Sequence, residues 1–456
     1  MVSWLSETYK KDLTGHWDLF VCFISISLKF LKSSGYNAFI LPTSFLKEKY
    51  GKLMRENIIS NYKLIEIVDF GEKVIFENVA RQTFIYNIKK EKDKNFESKI
   101  KMGIEDSGIP IPQSFFGTLK NTSFKTNVTE KDISIYKSLN TNSFKLGELV
   151  CINVGVVAHS KAGSPKFFKK DDVIFNEYQE GFKKYIVGPN ISRYSVIFDN
   201  QYMDYDNNSE YFHRPKFKLL FESEKLIVRR TSGNNNSIIA YFDNQGFYTN
   251  DSMTHLIRWN EKVLGFQKPD NKWKINIEEN YSLKYILALI SSKLITYYFS
   301  KFLSTDTLQG AYSSIYPEDI RELPIKKTSF QNQKIFIENA ENMLRLNTDF
   351  QIICQKFSTY FASQYEIEKL PGKLEKWYDL EFVDFIKELN KAIKGVKGTP
   401  LTKKDEFEWM DLFEENKKKA QELKAEIDRT DKEIDNMVYE IYGLSEEEIK
   451  IVEGEN

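Results

Sequence analysis

The stretch that most constrains how this 456-residue chain can fold runs from Asp18 to Lys90, because its apolar residues switch twice between helical and strand spacing. Leu19, Phe20, Phe23, Ile26, Ser27, Phe30 and Leu31 recur at the three- and four-residue interval of one helix face, after Thr14 and Asp18, either of which suits a cap. Ser33, Ser34 and Gly35 stop that helix. The run YNAFILP, bounded by glycine and proline, reads as a strand buried on both faces of a parallel sheet. Thr43 or Ser44 then caps a helix carrying Phe45, Leu46, Leu53, Ile58 and Ile59 and ending near Asn61. LIEIVDF supplies a second strand and RQTFIYNI a third. The fold class is therefore α/β, a parallel or mixed sheet covered on both sides.

Beyond residue 90 the pattern changes twice. Residues 91–144 are polar and read as a linker with short elements. Residues 145–328 alternate β-branched residues with Gly, Asn and Pro turns, which predicts an α+β domain of mainly antiparallel strands. Within it, LKYILALISSKLITYYFSKFL contains Lys284, Lys293 and Lys301, spaces its apolar residues helically and reads as one buried amphipathic helix, not a membrane span. Residues 329–456 are helical and charged, with apolar residues at heptad-like spacing. Pro371, Gly372, Gly395, Gly398 and Pro400 interrupt them, so helices packed on each other or back onto the preceding domain are expected rather than an autonomous coiled coil.

Lysine plus arginine equals aspartate plus glutamate, 65 each, so any nucleic-acid surface must arise from local segregation of charge. Cys22, Cys151 and Cys354 are too scattered for a disulfide framework or a zinc site, and His16, His159, His213 and His255 have no metal-ligand spacing. No metal is expected. With no signal peptide after Met1, the expected location is the cytoplasm. Asp69, Phe70 and Gly71 spell the magnesium motif of protein kinases, but no glycine-rich loop, HRD or APE accompanies them.

The order of DLF opening a helix, GYNAFILPTSFLKEKYGKLMRENII, IVDFG and VIFENVARQTFIY resembles the later part of the catalytic domain of adenine-N6 DNA methyltransferases. The resemblance is to the TaqI-like group, which includes the fused type IIG restriction-modification enzymes. The INVGVV loop, the GPNISRY turn, the KLIVRR strand, the YTNDS turn and RELPI resemble that group's target recognition domain, and IDNMVYEIYGLSEEEIKIVE the end of type IIG chains. The family also carries a glycine-rich S-adenosylmethionine loop and an Asn-Pro-Pro-Tyr loop, and this sequence contains neither. The resemblance thus implies residues 1–90 as the last strands of a Rossmann-like methyltransferase domain, with Met1 at or just beyond the end of the Asn-Pro-Pro-Tyr loop. It implies no catalytic residue on this chain, and S-adenosyl-L-methionine as cofactor only together with the missing N-terminal half.

Family members flip the target adenine out of the duplex, because its amino group is unreachable in the stack. Phe76 matches the aromatic that stacks on the flipped base; a strand-end core aromatic is the other reading of the same residue. Asp18, Leu19 and Phe20 match the segment beside the cofactor's adenine ring, or are simply a helix cap with two core residues. For DNA contact the candidates are Lys161, Lys166, Lys169 and Lys170 in a basic loop, Arg193 and Tyr194 in NISRY, and Arg229, Arg230 and Thr231. Ion pairing with nearby carboxylates is the alternative for each arginine. Adjacent strand residues face opposite sides, so at most one of Arg229 and Arg230 lies on a given surface.

Two functional readings follow. One is part of a site-specific adenine-N6 methyltransferase of a restriction-modification system, inactive without its N-terminal half or partner subunit and bound to double-stranded DNA. The other is a stand-alone DNA specificity subunit that docks on separate methyltransferase or restriction subunits. In type IIG chains the nuclease lies upstream, so no cleavage activity is assigned.

Overall fold

The computed structural model describes residues 2–77, 81–275, 277, 280–304 and 313–455. The chain divides into two compact units: one of Met1–Thr141, Tyr297–Gly310 and Leu444–Asn456, the other of Asn142–Thr296 and Ala311–Gly443.

The first unit is built on a mixed five-stranded sheet of β1 (Tyr36–Pro42), β2 (Lys63–Asp69), β3 (Thr83–Lys89), β4 (Glu97–Met102) and β5 (Ile109–Pro112), in the order β1-β3-β2-β4-β5. β3 is antiparallel to both β1 and β2, β4 is parallel to β2, and β5 is antiparallel to β4. Residues 97–112, expected inside a linker, thus extend the same sheet. The expectation for YNAFILP does not hold: β1 is an edge strand antiparallel to its one neighbour, with Tyr36 and Ile40 61% and 40% exposed. Its residues are as apolar as those of a central strand, but nothing among the described residues pairs with its outer edge.

The helix Leu19–Phe30 shows the same mismatch between composition and cover. Val21, Cys22, Ile24 and Leu28 are buried, yet Leu19, Phe23 and Phe30, one stripe along the opposite side, are 47%, 57% and 83% exposed. A helix apolar all round is ordinarily covered all round. Here one side is open.

The second expected helix is broken in two, Ser44–Lys47 and Lys52–Asn61, by extended backbone at Glu48. Arg55 holds the break. Its buried guanidinium donates to the carbonyl of Phe45, to Glu48 O at 2.8 Å, to Asn121 O at 2.8 Å and to Thr122 O at 3.0 Å. These partners are main-chain carbonyls, and burial pulls the Arg55 pKa down to about 10.

In the second unit KLIVRR lies at the centre of an antiparallel sheet, ordered Ala240–Asp243, Lys225–Arg229, Met253–Arg258, Val150–Val154. A second sheet joins Tyr248–Thr249, Lys183–Ile186, Gln201–Met203 and Ile174–Phe175, with only its first pair parallel. The INVGVV loop and the YTNDS turn meet backbone to backbone, Gly155 N–H on Met253 O at 3.0 Å and Val156 N–H on Thr249 O at 2.8 Å. Only glycine fits at 155, since a Cβ there would lie 2.2 Å from Asn250 O. RELPI returns to the start of the domain, where Pro324–Lys326 pairs antiparallel with Ser143–Lys145.

The long apolar run is not one helix: Leu283–Ile290 and Lys293–Tyr298 are separated at the buried Ser291 and Ser292, and Leu283–Ile290 is buried on all sides rather than amphipathic. Among the described residues no single helix is long and apolar enough to cross a membrane. Phe330–Gln364 and Lys403–Tyr442 form the helical region, joined by a core of Phe357, Phe361, Trp377, Phe385, Trp409 and Phe413. They also pack back onto the sheets of the second unit, where Leu344 lies against the cluster formed by Ile186, Ile191, Ile227, Tyr241, Phe247 and Met253. Asp435 of the second long helix is buried and accepts the Lys293 N–H at 2.8 Å. Burial pushes its carboxyl up to about 6, opposed by that hydrogen bond and by the nearby Arg193 and Lys293 charges and reinforced by Asp431.

Two stability predictions follow from these buried groups. Replacing Arg55 by Met leaves four carbonyls without a donor, so urea unfolding should show a loss of about 3 kcal/mol or more; an unchanged midpoint would refute the role of the guanidinium. For Asp435 the folded pKa lies above the ordinary carboxylate value. Its contribution is therefore fully present below about pH 4 and lost as pH rises through about 6. Asp435→Asn keeps an acceptor for Lys293 but does not titrate. Its stability relative to wild type should rise by about 2 kcal/mol between pH 4.5 and 7.5, measured by urea unfolding at both values; a pH-independent difference contradicts this.

Candidate nucleic-acid interface

The first group of candidate residues gathers at one end of the five-stranded sheet. Pro42 pairs with Thr83 and Asp69 with Phe84, so the carboxyl ends of β1 and β2 both lie beside the start of β3. The loop 70–77 leaves from this end. In it Val74, Ile75 and Phe76 are 74%, 40% and 45% exposed, so Phe76 is not a core aromatic. The Phe20 ring packs edge-on against Phe45 and Tyr50, each at 6.0 Å, which follow directly on β1. The amino end of the Leu19–Phe30 helix therefore sits at that same end of the sheet. Asp18 occupies the N-cap position with extended backbone and makes no capping hydrogen bond through its side chain, while Leu19 points outward. Asp18, Leu19, Phe20 and Phe76, separated by more than fifty residues in sequence, share the carboxyl edge where open α/β sheets bind ligands.

The lysine loop of the second unit is tied at its base. Ser160 N–H donates to Phe168 O at 3.1 Å, Phe168 N–H to Ser160 Oγ at 3.3 Å, and Lys161 N–H to Tyr211 O at 2.9 Å. Lys161, Lys166, Lys169 and Lys170 are all exposed. Lys166 Nζ reaches Asn207 O at 3.3 Å, and none of the four pairs with a carboxylate among the described residues.

Sequence reasoning missed what lies beside this loop. An isolated bridge pairs Ser160 with Phe212, and His213 N–H donates to His159 O at 2.9 Å, so the imidazoles of His159 and His213 lie 5.1 Å apart. Arg214 follows, exposed. About fifty residues separate these segments in the chain, and no spacing rule joins them.

Arg193 and Tyr194 point the other way. Arg193 grips both oxygens of Asp431, with Nη1 at 2.7 Å from Oδ2, and donates to Ser291 O at 2.6 Å. Tyr194, in left-handed backbone at φ 65°, is fully buried, and burial pushes its phenol up to about 12. Both join the recognition sheet to the helices. Arg229 and Arg230 diverge as strand geometry requires: Arg229 Nη1 reaches Ile191 O at 3.4 Å, whereas the Arg230 guanidinium lies 5.0 Å over the Tyr316 ring. Thr231 is exposed and bridged to Ser314. No cluster of three or more His, Cys, Asp or Glu suited to a metal ion occurs among the described residues.

Residues 2–76 match the Eco57I restriction-modification methylase family and residues 183–325 the TaqI-like C-terminal specificity domain. Residues 329–438 match a domain of unknown function, DUF8810. The type II restriction enzyme and methyltransferase RM.Eco57I of Escherichia coli is 34% identical over 86 residues, 19% of this chain and 9% of that protein. The putative type II restriction enzyme and methyltransferase RM.MjaORFECS2P of Methanocaldococcus jannaschii is 26% identical over 438 residues, 85% of this chain. The chain spans only 9% and 33% of the lengths of these two relatives. Among solved structures, the type IIL restriction-modification enzyme MmeI in complex with DNA aligns at a TM-score of 0.46 and 12% identity, over 92% of this chain and 55% of that one. The type IIG restriction endonuclease BpuSI aligns at 0.30 and 12%, over 97% and 51%. One chain thus carries a segment that matches the Eco57I restriction-modification methylase family and a segment that matches the TaqI-like C-terminal specificity domain of such enzymes.

Proposed function

We propose that this chain recognises a DNA sequence and positions the target adenine for a site-specific adenine-N6 DNA methyltransferase, and that it is inactive until a second methyltransferase half completes its sheet. The observation that carries this reading is the placement of Phe76 and of Asp18, Leu19 and Phe20 at the same, carboxyl end of β1 and β2. Phe76 is exposed there, as an aromatic must be to take a flipped base on its face. The match of residues 2–76 to the Eco57I restriction-modification methylase family takes in all four residues and agrees with this reading.

S-adenosyl-L-methionine, when bound, supplies the methyl group. The residues present fit one wall of its pocket: Leu19 and Phe20 offer an apolar surface for an adenine ring, and Asp18 a carboxylate free of capping duty. The glycine-rich loop and the Asn-Pro-Pro-Tyr loop are not in this sequence, so the remaining contacts must come from elsewhere. The surface that would receive them is the unpaired edge of β1 together with the exposed stripe Leu19, Phe23 and Phe30. An open, apolar edge of this kind aggregates unless covered.

DNA contact is assigned to the exposed lysine loop, Lys161, Lys166, Lys169 and Lys170, with Thr231 on the same domain. Arg193 and Tyr194, being turned inward, serve as positioning residues for that domain. Unit two has its own sheets and core, which also suits the second reading, a stand-alone specificity subunit.

Transfer of labelled methyl groups from S-adenosylmethionine to mixed-sequence DNA should be absent with this chain alone and appear when a half bearing both missing loops is added. Phe76→Ala should lower the activity of the mixture about 10-fold or more, given the ~1–3 kcal/mol of base stacking. Specific DNA binding with no methylation by either sample would instead favour the specificity-subunit reading. Independently, the slope of log affinity against log salt should fall by about 2 when Lys161 and Lys169 are both changed to Ala; an unaltered slope removes them from the interface.

A further inference from the structure

Phe167 is 78% exposed at the rim of the lysine loop, while its neighbour Phe168 is 3% exposed. The two rings point in opposite directions. Phe168 packs edge-on against Phe212 at 5.1 Å, and Phe212 stacks on Tyr205 at 5.4 Å, so the loop is anchored into the domain core directly beneath the exposed ring. Its base is closed by the Ser160–Phe168 hydrogen bonds, and its tip turns at Gly163 in left-handed backbone, φ 73°. Residues 159–170, HSKAGSPKFFKK, contain four lysines and no carboxylate, and the bridge to Phe212 adds His213 and Arg214 alongside. Of the two acids that follow, Asp172 is turned to the Lys169 N–H at 2.8 Å.

Burying a phenylalanine side chain is worth about 1.5–3 kcal/mol relative to leaving it in water. A large ring held out on a closed, anchored loop among lysines unpaired with carboxylates suits a partner that is both anionic at its rim and apolar within. Stacked base pairs flanked by phosphates have that chemistry. Apolar side chains inserted between base steps are a known way to unstack and kink a duplex, at a cost of a few kcal/mol per step offset by added contact.

We propose that Phe167 is an apolar wedge that inserts between base pairs of the bound duplex, with Lys161, Lys166, Lys169, Lys170 and Arg214 holding phosphates on either side. His159 and His213, with rings 5.1 Å apart and inclined at 33° at the loop's base, brace it against the Phe212 segment. The inference rests on the DNA-recognition reading above and adds a distortion step to it.

The test relaxes closed circular plasmid DNA with topoisomerase I in the presence of the protein and reads the change in linking number. Retention of the same plasmid on filters measures binding in parallel. Wild type and Phe167→Trp should both shift the linking number. Phe167→Ala, a surface change that leaves the core intact, should bind about 10-fold more weakly and produce no shift even at saturation. A wild type that binds without a shift, or a Phe167→Ala protein that shifts as wild type does, overturns the wedge and leaves DNA recognition standing. A wild type that fails to bind DNA overturns both. Binding to phosphatidylserine vesicles in place of DNA would assign the exposed ring to a membrane surface and likewise overturn the proposal.

Discussion

The recognition unit depends on one guanidinium. Arg193 closes a planar, two-pronged contact on Asp431 and adds a bond to Ser291 O, so one side chain joins a turn of the recognition domain, the break after Leu283–Ile290 and the second long helix. The geometry suits arginine and not lysine, because only the fork reaches two carboxylate oxygens and a carbonyl together. Asp435, one helical turn beyond Asp431, adds a bond to the backbone of Lys293. With the helices fixed in this way, Leu344 of the first long helix lies against the cluster formed by Ile186, Ile191, Ile227, Tyr241, Phe247 and Met253.

The first unit works under the opposite constraint. Its sheet ends at β1 in a strand of central-strand composition with no outer partner among the described residues, and its Leu19–Phe30 helix has apolar residues on an exposed side. Arg55 stabilises the interior by satisfying four carbonyls around a broken helix, but nothing comparable closes the outer face. Openness at this face and exposure of Phe76 at the adjacent end of the sheet have one consequence in common: both surfaces are available to another body. The proposed second half and the proposed flipped base would occupy them.

Much of this was legible in the residues. The strand positions of YNAFILP, LIEIVDF and RQTFIYNI, the end of the second helix at Asn61 and the helical region after residue 329 follow from spacing and caps. What spacing could not give was the edge position of β1. An edge strand made of central-strand residues reads as central, because apolar composition reports what a segment is suited to contact and not what is present. The residues 91–144 were misjudged for a related reason. ESKIKM and IPIP are short and partly polar, as strands near an edge tend to be, and became recognisable only by pairing with β2.

The candidate site divides along the same line. The sequence by itself determined the residue types available for chemistry: an aromatic after the second strand, a cluster of four lysines, paired arginines on a strand, and neither a glycine-rich cofactor loop nor Asn-Pro-Pro-Tyr. Tertiary structure alone decided which way they face. Arg193 and Lys161 are equally cationic in sequence, yet one is held by Asp431 from 238 residues away and the other stands in solvent. Phe167 and Phe168 are adjacent and chemically identical, and only the Phe212 segment across the bridge buries one and leaves the other out. The reason is that burial and charge pairing depend on distances in space, and the partners that set them lie tens to hundreds of residues away along the chain.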